Sequence, residues 1–195
     1  MRILPLTNEY FENQLRIFET YNNKYNVMKE IPNACLDKNH KVMFFEEKRM
    51  NNLRRGIEYA IFNGDKCVAT FEFLTGQAAS WLKRTRLGNS QLVNKIVASH
   101  SMVSKDYQRK GLATFFHELY LDNGYILAVN EQSQANVGLW DSLARNPKYI
   151  VYLYCPIAEA IYKYGETTGW PRVSINLAMS RDLVNQFSKT VKFNW

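Results

Sequence analysis

The chain has 195 residues, of which 46% are hydrophobic, 14% aromatic and 22% charged. This composition is typical of a globular protein and argues against a collagen-like repeat, a coiled-coil rod and a wholly disordered chain. No apolar run reaches the roughly 18 to 20 residues that a membrane-spanning helix needs, and the first residues lack the apolar centre of a signal peptide. We therefore expect a cytoplasmic protein without membrane contact, folded as a single domain over residues 1–195 because no linker or repeat divides the chain.

Charge and cysteine content narrow the classes of partner and cofactor. Lys plus Arg number 25 against 18 for Asp plus Glu, a net charge of +7. That excess favours anionic partners such as phosphates, nucleotides or nucleic acid, although it serves solubility equally well. The cysteines, Cys35, Cys67 and Cys155, lie far apart and are interpreted as buried thiols. None of the three histidines has metal-ligand spacing to another ligand, so no metal site is predicted.

The first 56 residues have the patterns of one strand and two helices. Residues 2–6 are typical of a short strand, and Thr7 or Asn8 can begin a helix whose apolar residues fall near helical spacing. A second helix is predicted over residues 42–55, where apolar side chains form an imperfect stripe. Gly56 is expected to end it.

The next segment has the clearest hairpin pattern in the chain. Two strands, 57–62 and 67–74, are joined by Asn63-Gly64-Asp65-Lys66, in which Asn-Gly is a strong turn signal. The connection over 75–89 is polar, longer than a tight turn, and carries the basic run Lys83-Arg84-Thr85-Arg86. Basic runs of this kind usually lie on the solvent-exposed surface of a protein.

The segment after a strand predicted over 92–103 has the pattern of a phosphate-binding loop. It is followed by an amphipathic helix that Asn123-Gly124 ends, and a buried strand over 125–129 completes a βαβ unit. The free N–H groups and the dipole at the start of that helix favour an anion. Gly111 lets the backbone approach a ligand, and Arg109 and Lys110 add charge. A diphosphate therefore fits, while a merely basic surface loop stays an alternative.

The residues from Val103 to Ala113 resemble motif A of the GNAT superfamily of N-acetyltransferases. There, a V-x-x-x-[YF]-[QR]-[GR]-[KR]-G-[IL]-[GA] run wraps the pyrophosphate of acetyl-coenzyme A. The resemblance covers nearly all of the chain, because the predicted elements follow the family's order. It implies an α/β fold in which a central mixed sheet of six to seven strands is flanked by helices and splayed at its two parallel central strands.

The resemblance also implies a co-substrate, acetyl-coenzyme A, and residues that bind it. Backbone groups of the strand before the loop are expected beside the pantetheine arm, and loop residues are expected around the pyrophosphate. The arm-binding residues are Ser101, Met102 and Val103, and the pyrophosphate-binding residues are Gln108, Arg109, Lys110, Gly111, Leu112 and Ala113.

The family's usual proton donor is replaced in this sequence. The family carries N-x-x-A-x-x-L-Y-x-x-x-G-F on a later helix, and the best alignment, over residues 133–145, puts Trp140 at the tyrosine position. An indole N–H is no useful acid. Tyr162 is a second candidate, at a shorter spacing and after a further predicted strand. Loss of the usual proton donor is tolerable because a thiol with a pKa of about 8.5 leaves readily as thiolate.

The general base is open as well. The resemblance implies a carboxylate or imidazole nine or eleven positions before Gln108, where Ser99 and Val97 stand. His100 is one position away, so in a regular strand it points to the other face. Glu72 and Glu131 are further candidates, and a structural or surface role is the alternative for each of these residues.

Together, these patterns predict an enzyme that moves an acetyl group from acetyl-coenzyme A to a primary amine by direct attack in a ternary complex. The acceptor stays open among a protein, a small molecule and aminoacyl-tRNA, so a nucleic-acid partner is one alternative. A second alternative, which Trp140 and the missing base motivate, is a GNAT-fold protein that binds acyl-CoA for assembly or regulation with little or no catalysis. The acyl chain length and the oligomeric state, a dimer included, also stay open.

Overall fold

The structure is a computed structural model, and it describes residues 2–4, 9, 12, 13, 15, 40–48, 55–165 and 174–193. The strands in these ranges are β1 Arg2–Leu4, β2 His40–Lys48, β3 Arg55–Asn63, β4 Lys66–Leu74, β5 Ile96–Val103, β6 Ile126–Val129, β7 Glu131–Ser133, β8 Tyr149–Cys155, β9 Ala160–Lys163, β10 Ile175–Ser180 and β11 Lys192–Phe193. The helices with described bounds are α1 Thr75–Leu82, α2 Leu112–Asp122, α3 Gln134–Arg145 and α4 Val184–Ser188.

A mixed sheet organises the described residues, with strand order β11-β9-β8-β10-β6-β5-β4-β3-β2. Seven of its strands form the expected core, and the short strands β9 and β11 extend one edge. Strands β5 and β6 are parallel, as are β9 and β11, and the other neighbours are antiparallel. Strand β1 pairs with β7 in a separate two-stranded sheet. The predicted mixed sheet with flanking helices is therefore confirmed.

The parallel strands β5 and β6 part after three residue pairs. Their register runs from Ile96↔Ile126 to Ala98↔Ala128 and then stops. Strand β5 continues to Val103 with its other edge paired to β4. Alternate residues of an antiparallel ladder direct their N–H and C=O groups away from the partner strand. Beyond Ala98, part of the β5 backbone therefore has no partner in β6, as the predicted splay requires, and the place where the two strands part is called the opening.

Helices cover both faces of this sheet. On one side, called the α2/α3 face, Phe73 and Val97 pack in a cluster with Phe116 of α2 and Trp140 of α3. On the other, called the α1 face, Leu74 and Ala98 pack with Ala78 and Leu82 of α1, and this cluster also contains Phe187 of α4. Successive strand residues alternate between the two faces, so each β5 side chain has a defined side.

The helix predicted over residues 42–55 is wrong where the structure describes that range. Residues 40–48 form β2, which pairs with β3 from His40↔Asn63 to Lys48↔Arg55. Val42 and the aromatic residues after it favour a strand, and the neighbouring hairpin offers a complete ladder that outweighs an imperfect helical stripe. Gly56, expected to end the helix, lies in β3 opposite Leu74.

Other element predictions are confirmed with shifted ends. The hairpin forms as expected, with Gly64 left-handed at φ 59°. The strand expected from Leu92 begins at Ile96, because residues 91–95 form a 3₁₀ turn that buries Leu92. The connection after the hairpin begins with α1, which was not predicted. Most of the first predicted helix lies outside the described residues.

Two further findings concern the thiols and membrane crossing. Cys67 and Cys155 are buried thiols, as interpreted, and Cys35 lies outside the described residues. Within the described ranges, no helix has both the length and the apolar character needed to cross a membrane.

Candidate functional site

The predicted phosphate-binding loop joins the carboxyl end of β5 to the start of α2. Two of its residues, Arg109 at φ 59° and Gly111 at φ 81°, have left-handed backbone conformations. Glycine adopts this conformation freely, but for arginine it is uncommon and strained. Left-handed residues in a turn direct successive N–H groups to one side, which forms a concavity that binds anions. The loop therefore has the backbone shape of an anion site.

The start of α2 adds donors to this concavity. The Phe115 N–H donates to the Gly111 carbonyl at 2.9 Å, the first backbone bond of the helix. The preceding amides, those of Leu112, Ala113 and Thr114, therefore have no acceptor within the helix. They add to the partial positive charge at the helix N-terminus, which stabilises phosphate groups.

Tyr107 anchors the loop to the hairpin. Its hydroxyl accepts a hydrogen bond from Asn63 Nδ2 at 2.7 Å and lies 3.3 Å from Nε2 of His40. On the same 3₁₀ turn, the Lys105 N–H donates to Glu12 Oε1 at 3.2 Å. The loop is thus held from two sides, which fixes its backbone before any ligand arrives.

The charged side chains of the loop lie on its outer surface. Arg109 and Lys110 are both exposed, and Lys110 Nζ lies 4.9 Å from the centre of the Tyr107 ring. A cation over an aromatic face is weakly held. Both cations therefore remain able to contact an anion bound at the backbone amides.

Gln108 ties the loop to the strand before it. Its Nε2 donates to the Val103 carbonyl at 3.0 Å. The resemblance placed Gln108 beside the pyrophosphate and the Val103 backbone beside the arm. In this structure the two residues contact each other, so the side chain of Gln108 shapes the loop.

The strand residues assigned to the arm divide between the two faces. Ser101 Oγ contacts Asn136 Oδ1 of α3 at 3.3 Å, on the α2/α3 face and beside the parted strands. Met102 packs on the other face, next to the buried residues Phe62 and Cys67. Because the Met102 side chain packs on that face, only its backbone can contact a ligand in the opening.

Trp140, at the usual tyrosine position, and Tyr162, the candidate acid, are placed very differently. Trp140 is 1% exposed and packs in the core of the α2/α3 face. Its indole has no hydroxyl, so it cannot replace the tyrosine as a proton donor. Tyr162 lies on β9, which β8, β10 and β6 separate from β5. At about 4.8 Å per strand this is roughly 19 Å from the opening. The structure does not bring Tyr162 to the loop.

A tyrosine that the sequence did not single out lies near Trp140. The Tyr164 hydroxyl donates to Asp141 Oδ1 on α3 at 2.9 Å. Burial, and then this contact with Asp141, raise the pKa of Tyr164. Its proton is therefore held more tightly than in a free tyrosine, which makes it a poor acid.

Two of the candidate bases come together on the α1 face. Glu72 of β4 and His100 of β5 are cross-strand partners, and the register around them is regular from Leu74↔Ala98 to Ala69↔Val103. His100 Nε2 lies 3.1 Å from Oε1 of Gln77 on α1. His100 thus faces away from Ser99, as strand alternation predicts. Gln77 was missed because α1 itself was not predicted.

The remaining sequence candidates lie elsewhere or carry no site. Glu131 is in β7 opposite Arg2, outside the main sheet. Over the residues that have described positions, no three His, Cys, Asp or Glu side chains are grouped closely enough to hold a metal ion.

Comparisons with known proteins complete these findings. No protein-family model and no curated protein matches the sequence. Among solved structures, the chain is similar to a chimera of a spermidine N-acetyltransferase, SpeG from Vibrio cholerae, with hSSAT, at 11% identity and a TM-score of 0.34, covering 93% of this chain and 95% of that one. It is also similar to mutant forms of the spermidine/spermine N-acetyltransferase SpeG from Vibrio cholerae, at 11% identity and a TM-score of 0.32, covering 94% and 95%.

A third similar structure is a protein from Streptococcus mutans UA159. Its identity to this chain is 14% and its TM-score 0.31, covering 94% of this chain and 99% of that one. Similarity at this level does not bear on substrate or mechanism. The function proposed below is therefore based on the loop, the parted strands and the groups beside them.

Proposed function

We propose that this protein is an N-acetyltransferase that transfers an acetyl group from acetyl-coenzyme A to a primary amine by direct attack in a ternary complex. The observation that carries the proposal is the backbone of the loop after β5. Two left-handed residues, Arg109 and Gly111, stand directly before the free amides of α2. Strain at a non-glycine residue in such a loop favours a binding role over a plain surface turn.

The shape of the site fits the parts of acetyl-coenzyme A. The diphosphate matches the amides of Leu112 and Ala113, with Arg109 and Lys110 as countercharges. The arm carries amide groups, which match the N–H and C=O groups on the open edge of β5 beyond Ala98. The loop and the open edge are continuous along one strand, so a single extended ligand can occupy both.

When bound, acetyl-coenzyme A supplies an acyl group on a thiolate that leaves readily. The protein contributes position: holding two reactants together is equivalent to an effective concentration of roughly 10⁵ to 10⁸ M. Backbone N–H groups on the open edge of β5 can stabilise negative charge that develops on the acyl oxygen. Neither contribution requires a proton-donating side chain at position 140, where this chain has Trp140.

Glu72 and His100 supply the proton chemistry in this proposal. A primary amine with a pKa of about 10 is protonated at neutral pH and must lose a proton before it attacks. An imidazole nitrogen of His100 accepts that proton, and the carboxylate of Glu72, directly opposite, attracts the incoming cation. The acceptor amine thus reaches the opening from the α1 face.

A second candidate function is acyl-CoA binding without turnover. The buried Trp140 favours it, because the residue at the usual tyrosine position serves the core and offers no hydroxyl. A nucleic-acid-directed acetyltransferase has weaker support. In the basic run over residues 83–86, Lys83 and Arg84 are exposed and could contact a nucleic acid. Arg86, however, is already paired with Glu159 at 3.2 Å.

A thiol-release assay distinguishes these functions. The protein is incubated with acetyl-coenzyme A and, in separate reactions, a polyamine, a lysine peptide, a free N-terminal peptide and an aminoacyl-tRNA. Thiol release that depends on one amine supports the proposal. Calorimetric binding of acetyl-coenzyme A with no release from any amine supports the binding protein. Release only with aminoacyl-tRNA, weakened steeply by salt, supports the nucleic-acid-directed enzyme.

A further inference from the structure

Asn176 on β10 is a buried polar side chain that has no hydrogen-bond partner among the described residues. It is 0% exposed, and neither Nδ2 nor Oδ1 forms a hydrogen bond within the part of the chain that the structure describes. Most buried polar side chains are hydrogen-bonded, and an unpaired one is destabilising. A donor and an acceptor left open on one carboxamide therefore need an explanation.

The place of Asn176 in the sheet relates it to the opening between β5 and β6. Asn176 pairs with Val129, the last residue of β6. If the β5–β6 pairing continued, Val129 would pair with Ser99 of β5. The pairing stops one residue earlier, at Ala98↔Ala128. Asn176 thus lies one strand away from the place where the sheet opens.

Asn176 also lies on the side of the sheet where the opening meets α3. Residues directly opposite in a ladder share a face. Val129, the partner of Asn176, packs in the cluster of the α2/α3 face, and so does Phe73, the partner of Ser99. Ser99 is itself 4% exposed. Buried polar groups therefore stand on either side of Val129, on the face from which Ser101 contacts Asn136.

We infer that Asn176 is a binding residue for the pantetheine arm, an inference that rests on the proposed function. A secondary amide needs one acceptor for its N–H and one donor for its carbonyl. The carboxamide of Asn176 offers that pair and has no charge, so it matches an amide and gives no advantage to a phosphate. With the loop holding the diphosphate, Asn176 orients the arm deeper in the opening.

Binding measurements on one variant and one control test this inference. In Asn176→Leu, an apolar group of similar size replaces the amide. Calorimetry is performed with acetyl-coenzyme A and with 3′-phospho-ADP, which has the diphosphate and lacks the arm. We expect about ten-fold weaker binding of acetyl-coenzyme A, because the ligand amide loses its partner, and unchanged binding of 3′-phospho-ADP. The melting temperature without ligand stays the same or rises.

Thr70→Val is the matched control. Thr70 is 1% exposed and its Oγ1 also has no partner among the described residues, but it lies between Ala69 and Phe71 and so faces the other side of the sheet. We expect this variant to bind both ligands like wild type. Should Asn176→Leu fold poorly, Asn176→Ala, which only removes atoms, is measured instead.

Each outcome has one meaning. Selective loss of acetyl-coenzyme A in the Asn176 variant supports the inference. Binding within two-fold of wild type, or equal loss of both ligands, overturns it and assigns Asn176 a purely structural role while the proposed function stands. Wild-type protein that binds no acetyl-coenzyme A overturns the proposed function itself.

Discussion

Glu72 on β4 stands directly opposite His100 on β5 in the antiparallel register. The pair lies on the α1 face, and the contact of His100 with Gln77 confirms that orientation. Ser101 on β5 and Asn176 on β10 lie on the other side of the same sheet. In the proposed function, an acceptor amine and an acyl donor therefore approach the opening from opposite faces, which is compatible with direct attack in a ternary complex.

The first prediction concerns this pair. In His100→Gln and in Glu72→Gln, we expect kcat to fall by about 10²-fold, because in the proposed function His100 accepts the proton of the amine and Glu72 attracts the ammonium group. The affinity for acetyl-coenzyme A should stay within two-fold of wild type. Thiol release at saturating acetyl-coenzyme A and calorimetry measure the two effects. The control is Asp65→Asn in the exposed hairpin turn, which should change neither. Full activity in both variants would exclude the pair from the chemistry.

The second prediction concerns the anchor of the loop. Tyr107→Phe keeps the ring and removes the hydroxyl that accepts from Asn63, and Asn63→Ala removes the donor of the same bond. One such hydrogen bond contributes about 1 kcal/mol, so we expect each variant to bind acetyl-coenzyme A about five-fold more weakly. Both changes break the bond between Asn63 and Tyr107, and Tyr107→Phe also removes the contact with His40, so the double variant should be little weaker than Tyr107→Phe alone. Fully additive losses would show that the two residues act separately.

The third prediction concerns His117, which is 2% exposed and contacts the Ala113 carbonyl through Nδ1 at 2.7 Å. Burial lowers the pKa of His117 to about 4. In the unfolded chain it is about 6.5, so between these values the unfolded state binds more protons, and stability falls as the pH drops. The total effect is about 3 kcal/mol, complete below pH 4 and absent well above pH 6.5.

Chemical denaturation at pH 7.5 and pH 5 tests this assignment. Wild type should lose more stability over that interval than His117→Leu, which has no group to titrate at this position. The carboxylates are common to both proteins, so the difference between them isolates the histidine. Equal losses in the two proteins would contradict the assignment.

The fourth prediction concerns Trp140. Because the side chain is buried in the core of the α2/α3 face, Trp140→Phe should lower the free energy of unfolding by about 1 to 3 kcal/mol. Turnover per folded molecule should stay within about two-fold, since an indole N–H supplies no acid. A much larger loss of kcat at unchanged folding would give the indole a role in catalysis.

The loop was predictable because its signals are local. Gly111, the basic residues before it and the amphipathic helix after it lie within about twenty positions, and the left-handed conformation at Gly111 follows from that pattern. The parting of β5 and β6 was implied by the family resemblance and could not be read from periodicity alone. The left-handed Arg109 had no sequence signal.

The errors have non-local causes. The apolar run from Val42 to Phe45 fits a strand or a helix, and only the ladder with β3 decides between them. The Glu72–His100 pairing depends on the register of two strands, which the sequence did not fix. Asn176 is buried because β10 inserts between β6 and β8, and no local sequence pattern predicts that burial.

The most direct test of the central claim compares two glycines at opposite ends of α2. Gly111, at φ 81°, precedes the helix in the proposed diphosphate site, and Gly124, at φ 77°, follows it with no atom of the described residues within 4 Å of an added Cβ. Replacing either with alanine imposes a similar backbone strain. Calorimetric titration with acetyl-coenzyme A should show loss of binding by ten-fold or more in Gly111→Ala and wild-type affinity in Gly124→Ala. Equal affinity in both variants, or no binding by the wild type, would contradict the claim that this loop holds the coenzyme.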